Sequence, residues 1–294
     1  MTGPEAGPAA TTVNAMTVDV EDYFQVSAFE PYIQQEEWEH FPMRVEANIE
    51  RILTMFERHD VKATFFTLGW VAERYPAMTR RIVDAGHELA SHGYRHVRVV
   101  NQSPASFRAD VRRSRLLLED IGGSAVLGYR AASYSIGRDN LWALDVLAET
   151  GHRYSSSIYP IKHDLYGMPE APRFAFEPAV ELAHGAGLLE VPITTVQLGG
   201  RNFPCGGGGY FRLLPYSISR WALRRVNERE CQPAVFYFHP WEIDPEQPRQ
   251  HGLGLKTRTR HYLNLARMEG RLERLLGDFR WGRMDRLFLD RASA

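Results

Sequence analysis

The sequence predicts an α/β protein built on a parallel sheet, either open or closed into a barrel. Three observations predict it. Strand-like and helix-like segments alternate through the 294 residues. No repeat or linker divides them. Chemistry-bearing polar residues gather where the strands end, which is where parallel α/β folds keep their sites.

Each element has its own warrant. Ala15 to Val20 is an apolar run that ends in acids, as a buried strand does. Val45 to His59 repeats apolar residues at helical spacing, through Ile49, Ile52, Leu53 and Phe56. Val61 to Leu68 is β-branched and aromatic, hence a strand. Pro76 to Ala85 is a helix with proline in its first turn and Gly86 past its end. Glu88 to Ser91 is a short strand. Ser103 and Pro104 read as an N-cap and first helical residue, opening a helix that Gly122 and Gly123 stop. Val126 to Arg130, Tyr154 to Ser157, Leu189 to Val196 and Ala234 to His239 read as strands, with Phe279 to Trp281 as a last short one. Asp139 to Thr150, Pro215 to Arg229 and Arg258 to Leu276 read as helices. Residues 1–12 read as a disordered tail, and Tyr159 to Gly187 as an irregular excursion over one face.

Composition narrows the class. Hydrophobic residues make up 44%, and the net charge of -1 argues against a nucleic-acid partner. Cys205 and Cys231 form no CxxC pair and read as free thiols. The sequence offers no apolar run long enough to span a membrane and no signal-peptide pattern, so the expected location is the cytoplasm.

The strand ends carry the functional reading. After the first strand comes Asp19-Val20-Glu21-Asp22; after the third come His92 and His96. Four-residue spacing would set both imidazoles on one face of a helical turn, within reach of one cation. Two surface histidines would satisfy the same spacing, but the acidic cluster adds the carboxylate of a facial set with open positions. Alternation along the strand puts Asp19 and Glu21 on one side. Asp19 is then the general base and Glu21 the ligand, with Asp22 a competitor for the ligand role. Arg130 would pair with Asp19, holding it charged and oriented, and His239 would act as general acid. A structural ion pair and a packed histidine are the plainer alternatives for those two.

Taken in order, these residues resemble carbohydrate esterase family 4, the NodB-type polysaccharide deacetylases, over about Met16 to Glu242. They are most similar to the exosortase-associated subgroup. The resemblance rests on Thr17-Val18-Asp19-Val20-Glu21-Asp22-Tyr23-Phe24, Ser91-His92-Gly93-Tyr94-Arg95-His96, Gly128-Tyr129-Arg130, Cys205 to Arg212 and Phe238-His239-Pro240-Trp241-Glu242. It implies a distorted (β/α)7 barrel over 13–294, with a family-specific extension over about 200–294. It also implies a divalent metal, zinc by preference with cobalt or nickel able to take the same ligands, and hydrolysis of N-acetyl groups on a poly- or oligosaccharide. The backbone N–H of Tyr134 would stabilise the oxyanion. Tyr134, Tyr210, Arg212 and Trp241 would bind substrate, with Tyr23 a further candidate for stacking on a sugar ring. The glycine run would let backbone approach the sugar.

Two departures stand out. Val20 separates Asp19 from the next acid where many members have adjacent aspartates, and Ser155-Ser156-Ser157 stands where many have Asp-Ser-Ser. Two rival readings remain. A cyclic-amide hydrolase on the same scaffold would act on small ureides rather than acetylated sugars. A silent carbohydrate-binding protein would have lost part of the polar set, which is complete here.

Overall fold

The computed structural model describes residues 12–178 and 187–290. The expected tail therefore lies almost wholly outside the described residues. In chain order the elements are β1 (Val13–Val20), α1 (Val45–Arg58), β2 (Thr64–Thr67), α2 (Gly69–Arg74), α3 (Pro76–Asp84), β3 (Glu88–Ser91), α4 (Pro104–Gly122), β4 (Gly128–Tyr129), α5 (Trp142–Glu149), β5 (Tyr154–Ser155), β6 (Leu189–Glu190), β7 (Thr195–Leu198), β8 (Arg201–Pro204), α6 (Gly208–Leu213), α7 (Tyr216–Arg229), β9 (Val235–Phe238), α8 (Leu255–Tyr262), α9 (Leu265–Asp278) and β10 (Arg280–Gly282).

Eight strands form one curled parallel sheet in the order β10-β1-β2-β3-β4-β5-β6, with β9 also paired to β1. The open edge beyond β6 is bridged towards β9. Past β6, Thr194 accepts from the Val235 N–H at its Oγ1 (2.6 Å) and from the Cys205 N–H at its carbonyl (3.4 Å), and a parallel bridge joins Gly207 to Tyr237. The result is the distorted barrel expected. No helix among the described residues is long and apolar enough to cross a membrane.

Strand alternation sorts the side chains into two layers. Met16, Val18, Val20, Phe65, Phe236 and Phe238 point outward into one core shared with α1, α3 and α9. Ala15, Phe66, Ala90, Tyr154, Val235 and Tyr237 point inward to a second core. Thr17 and Asp19 share the inward parity of Ala15, so β1 feeds a carboxylate into the upper barrel. Buried on both faces, β9 reads as an unbroken run of Val, Phe and Tyr rather than an alternating one, and β2 buries all four residues of Thr-Phe-Phe-Thr.

Several expectations are corrected. The segment read as one strand from Leu189 to Val196 is split between β6 and β7, and β7 turns back as an antiparallel hairpin with β8. Helix α2 was not expected. The helix read from Arg258 to Leu276 breaks at Leu263–Asn264, where Asn264 takes φ 56°. The glycine run is not a sugar-facing loop: Gly208 and Gly209 open α6, and the close backbone approach is to β9. A Cβ on Gly207, at φ 120°, would lie 1.9 Å from the Tyr237 carbonyl oxygen. Both cysteines are free, as read.

Candidate active site

The end of β1 sets the first two groups. Beyond Val20 the chain bends, with the Glu21 N–H donating to the Asp19 carbonyl at 3.0 Å. Asp19, Glu21 and Asp22 are all buried. Their carboxylates part company there. Asp22 accepts from the backbone N–H groups of Tyr23 (2.8 Å), Arg44 (2.6 Å) and Val45 (2.9 Å), so it caps the start of α1. Its candidacy as a ligand is thereby corrected, since its oxygens are turned to backbone donors.

Glu21, His92 and His96 do come together, with one ligand atom from each lying within 4.8 Å of the others. The route differs from the one expected. Residues 92–96 form no helical turn; His96 sits at φ 54° and Gly93 at φ 76°, and this bent backbone sets the two rings 5.1 Å apart. Helices α2 and α4 hold the bend, through Gly69 and Trp70 donating to the carbonyls of Gly93 and Tyr94 and through Ser114 Oγ on Gly93.

The three groups fit a divalent cation. His92 Nδ1 is bound to the Arg130 carbonyl at 2.8 Å, which leaves its Nε2 for a ligand. Glu21 Oε2 lies 3.0 Å from His96 Nε2, and His96 Nδ1 is buried without a hydrogen-bond partner. Burial lowers His92 to about 4 and His96 well below its ordinary value, so both imidazoles keep a lone pair at neutral pH. Burial also pushes Glu21 up to about 7, the behaviour of a carboxylate short of positive charge.

Asp19 stands beside this trio. Arg130 donates to Asp19 Oδ1 at 2.6 Å and to Thr17 Oγ1 at 2.7 Å. Its remaining donors reach the Ser156 carbonyl and hydroxyl, and it lies 4.0 Å over the Phe66 ring. The serine run thus anchors the arginine, with Ser157 Oγ holding the Ala131 N–H. Asp19 Oδ2 is left facing Tyr134 Oη at 3.4 Å and His239 Nε2 at 3.9 Å.

His239 closes the other side. Its Nε2 lies 3.6 Å from Glu21 Oε1, and its Nδ1 3.2 Å from Glu242 Oε2. Burial alone would lower it, but the Glu242 bond and the charges of Glu21, Glu242 and Asp19 outweigh burial and push it up to about 9. Burial would raise Glu242, yet Arg212 and His239 hold it at about 2. The His239 side chain is 18% exposed against 2–5% for Asp19, Glu21 and His96, so solvent reaches the site on its side.

Glu242 is the partner that sequence reasoning missed. The signal was present: histidine, proline at the next position and glutamate three residues on is a capping-box spacing, and Glu242 Oε2 accepts the His239 N–H at 3.0 Å.

The expected substrate contacts are mostly corrected. Arg212 is 3% exposed in its side chain, paired with Glu242 at 2.7 Å and donating to the carbonyls of Arg260, His261 and Leu263. It positions Glu242 and does not reach outward. The Tyr134 N–H, expected at the oxyanion, donates to the Ala131 carbonyl at 3.0 Å. Trp241 is stacked between His239 and His261 and donates to Glu21 Oε1 at 3.3 Å. Tyr23 is core. Tyr210 alone of the aromatic candidates is only partly buried, beside the inner core.

Residues 38–155 match the polysaccharide deacetylase family model, and residues 156–289 match a domain of unknown function, DUF3473. A peptidoglycan deacetylase of Helicobacter pylori is 29% identical over 113 residues, 38% of this chain and 38% of that protein. A peptidoglycan-N-acetylglucosamine deacetylase of Bacillus cereus is 33% identical over 75 residues, 26% of this chain and 27% of that protein. The chain thus spans well under half the length of these curated relatives. Among solved structures, a Mycobacterium smegmatis protein assigned to the polysaccharide deacetylases superposes with a TM-score of 0.62 at 19% identity, covering 97% of this chain and 91% of that one. An allantoinase superposes at 0.58 and 14% identity, covering 95% and 90%. The structural likenesses establish the fold, and over residues 38–155 the chain is similar to the polysaccharide deacetylase family, a match that DUF3473 continues.

Proposed function

We propose that the protein hydrolyses N-acetyl groups on the amino sugars of a poly- or oligosaccharide, with a divalent cation held by Glu21, His92 and His96. One observation carries the reading: a buried two-histidine, one-carboxylate trio lies beside a carboxylate fixed by arginine and a histidine fixed by glutamate. Two imidazoles and a carboxylate suit zinc, and cobalt or nickel accept the same donors. When bound, the cation supplies Lewis-acid polarisation of the acetyl carbonyl and of water.

The chain's own residues do the rest. Asp19 turns Oδ2 to the site and takes a proton from the attacking water as its oxygen bonds to the acetyl carbon. The carbon–nitrogen bond then breaks, and His239 Nε2 delivers a proton to the departing nitrogen, releasing acetate and a free amine. Glu242 holds the opposite ring nitrogen, so the proton on Nε2 faces the reacting atoms. Relatives named as peptidoglycan deacetylases support this choice of substrate class.

The test is acetate release from N-acetylglucosamine oligomers, with chelator and with zinc or cobalt restored. Chelator-sensitive release is expected. Cation-loaded protein that releases no acetate but opens cyclic ureides would overturn the reading in favour of a cyclic-amide hydrolase.

A further inference from the structure

The DUF3473 segment builds a surface that the chemistry above does not use. Hairpin β7–β8 packs on α7, where Val196, Cys205 and Ala222 form a small core. The register pairs Val196 with Phe203 and Leu198 with Arg201, so these four side chains share one face of the hairpin. Past the buried Val196, that face leaves Leu198 and Phe203 40% and 45% exposed. On α7, Ile218 and Trp221 precede Ala222 by four and one residues and are 44% and 47% exposed; Leu213, just before the helix, is 57% exposed. Five of the eleven exposed large apolar residues among the described residues thus fall between Leu198 and Trp221. Scattered apolar residues are ordinary on a surface, whereas a cluster marks an interface.

Positive charge adjoins the cluster. A groove of about 700 Å3 between α7 and α9 is walled by Trp221 and carries Arg220, Arg224, Arg225, Arg229 and Arg274 against only Glu228 and Asp278. The chain as a whole has a net charge of -1, so this excess is local.

The combination selects its partner. A second copy of the chain, meeting this face symmetrically, would set arginines against arginines. A dissolved anionic saccharide would engage the arginines and Trp221 but leave Leu198, Phe203 and Ile218 in water. A bilayer with anionic headgroups satisfies both sets, because aromatic and aliphatic side chains enter the headgroup boundary while arginines meet phosphate. We infer that this face docks the protein on an anionic phospholipid surface, with the hairpin tip and the outer side of α7 lying in the interface.

The experiment is co-sedimentation of the full chain with phosphatidylcholine vesicles, with and without phosphatidylglycerol. Two variants accompany it, Arg224→Glu with Arg225→Glu, and Phe203→Ser with Trp221→Ser; thermal melts confirm that each folds. The protein is expected to pellet with the anionic vesicles only. Charge reversal should weaken binding by at least about tenfold. The apolar pair should weaken it at every salt concentration, while wild-type binding declines as salt rises. Wild type left in the supernatant with anionic vesicles overturns the inference, as does equal binding by both variants. So would a dimer in solution that the Phe203→Ser, Trp221→Ser variant dissolves. Capture of a dissolved polyanionic oligosaccharide through the arginines alone, without vesicle binding, would assign the groove to saccharide instead.

Discussion

Two buried arginine–carboxylate pairs flank the candidate cation site, and they are built differently. Arg130 and Asp19 lie 2.6 Å apart, Arg212 and Glu242 2.7 Å apart, and none of the four side chains is more than 3% exposed. Arg130 is anchored largely by side chains and loops at strand ends, Thr17 and Ser156, and its carboxylate faces the site directly. Arg212 is anchored by three backbone carbonyls around the end of α8, and its carboxylate acts only through His239. The first pair sets a group that touches the reacting atoms. The second sets the group behind one. The difference should appear as rate on one side and as stability and pH dependence on the other.

That difference also explains how much could be read from the sequence. Asp19, His92, His96, Arg130 and His239 sit at strand ends, and strand ends are visible as apolar runs that stop at polar residues. Arg212 is held by carbonyls that any sequence would supply, so nothing in its neighbourhood marked it as internal. The break between α8 and α9 is hidden for the same reason. Apolar spacing continues through it, while the left-handed Asn264 whose side chain donates to the Arg212 carbonyl is a tertiary arrangement. Glu242 was legible in principle from its capping spacing. The hairpin was not, because four-residue strands with exposed apolar residues carry little alternation.

The largest effect is expected at the trio itself. His92→Ala and His96→Ala should each weaken cation binding by more than about 100-fold and reduce turnover to background, read by calorimetry with zinc and by acetate release. Either variant keeping full turnover without cation would remove the centre on which the comparison turns. Next comes Asp19→Asn. It should keep the cation and lose about 10²–10⁴ in kcat, which separates the base from the ligands.

The pairs themselves come third. Arg130→Met and Arg212→Met each strand a buried carboxylate, and each should cost about 3–5 kcal/mol in denaturant unfolding. Their rates should diverge. With unfolded protein accounted for, Arg130→Met should lose most of kcat, because Asp19 is no longer fixed. Arg212→Met should lose much less, because His239 keeps its own bond to Glu242. Equal losses of rate would mean that both arginines serve the chemistry alike.

The smallest effect is the most informative about the second pair. Glu242→Gln keeps the size of the side chain and an oxygen for the His239 ring, but removes a charge. In the native chain Glu242 is among the groups that push His239 up to about 9 against the effect of burial. A histidine raised in this way is protonated below that value and loses its proton as pH rises through it, so a general acid at this position works up to the alkaline side of neutral. Without the Glu242 charge, burial counts for more and the protonated form weakens, so the alkaline limb of the kcat profile should move towards neutral pH. A bound cation near Glu21 would also press His239 down, but in both proteins alike, so the direction of the difference stands. The same linkage applies to stability: the contribution of His239 is full below its ordinary value of about 6.5 and fades as pH rises towards 9, and the variant should show less of that decline. The measurement is a pH–rate profile with zinc-loaded protein beside urea unfolding at matched pH. An alkaline limb that stays in place in Glu242→Gln would show that Glu242 only packs against His239, and the second pair would then be scaffold rather than part of the proton path.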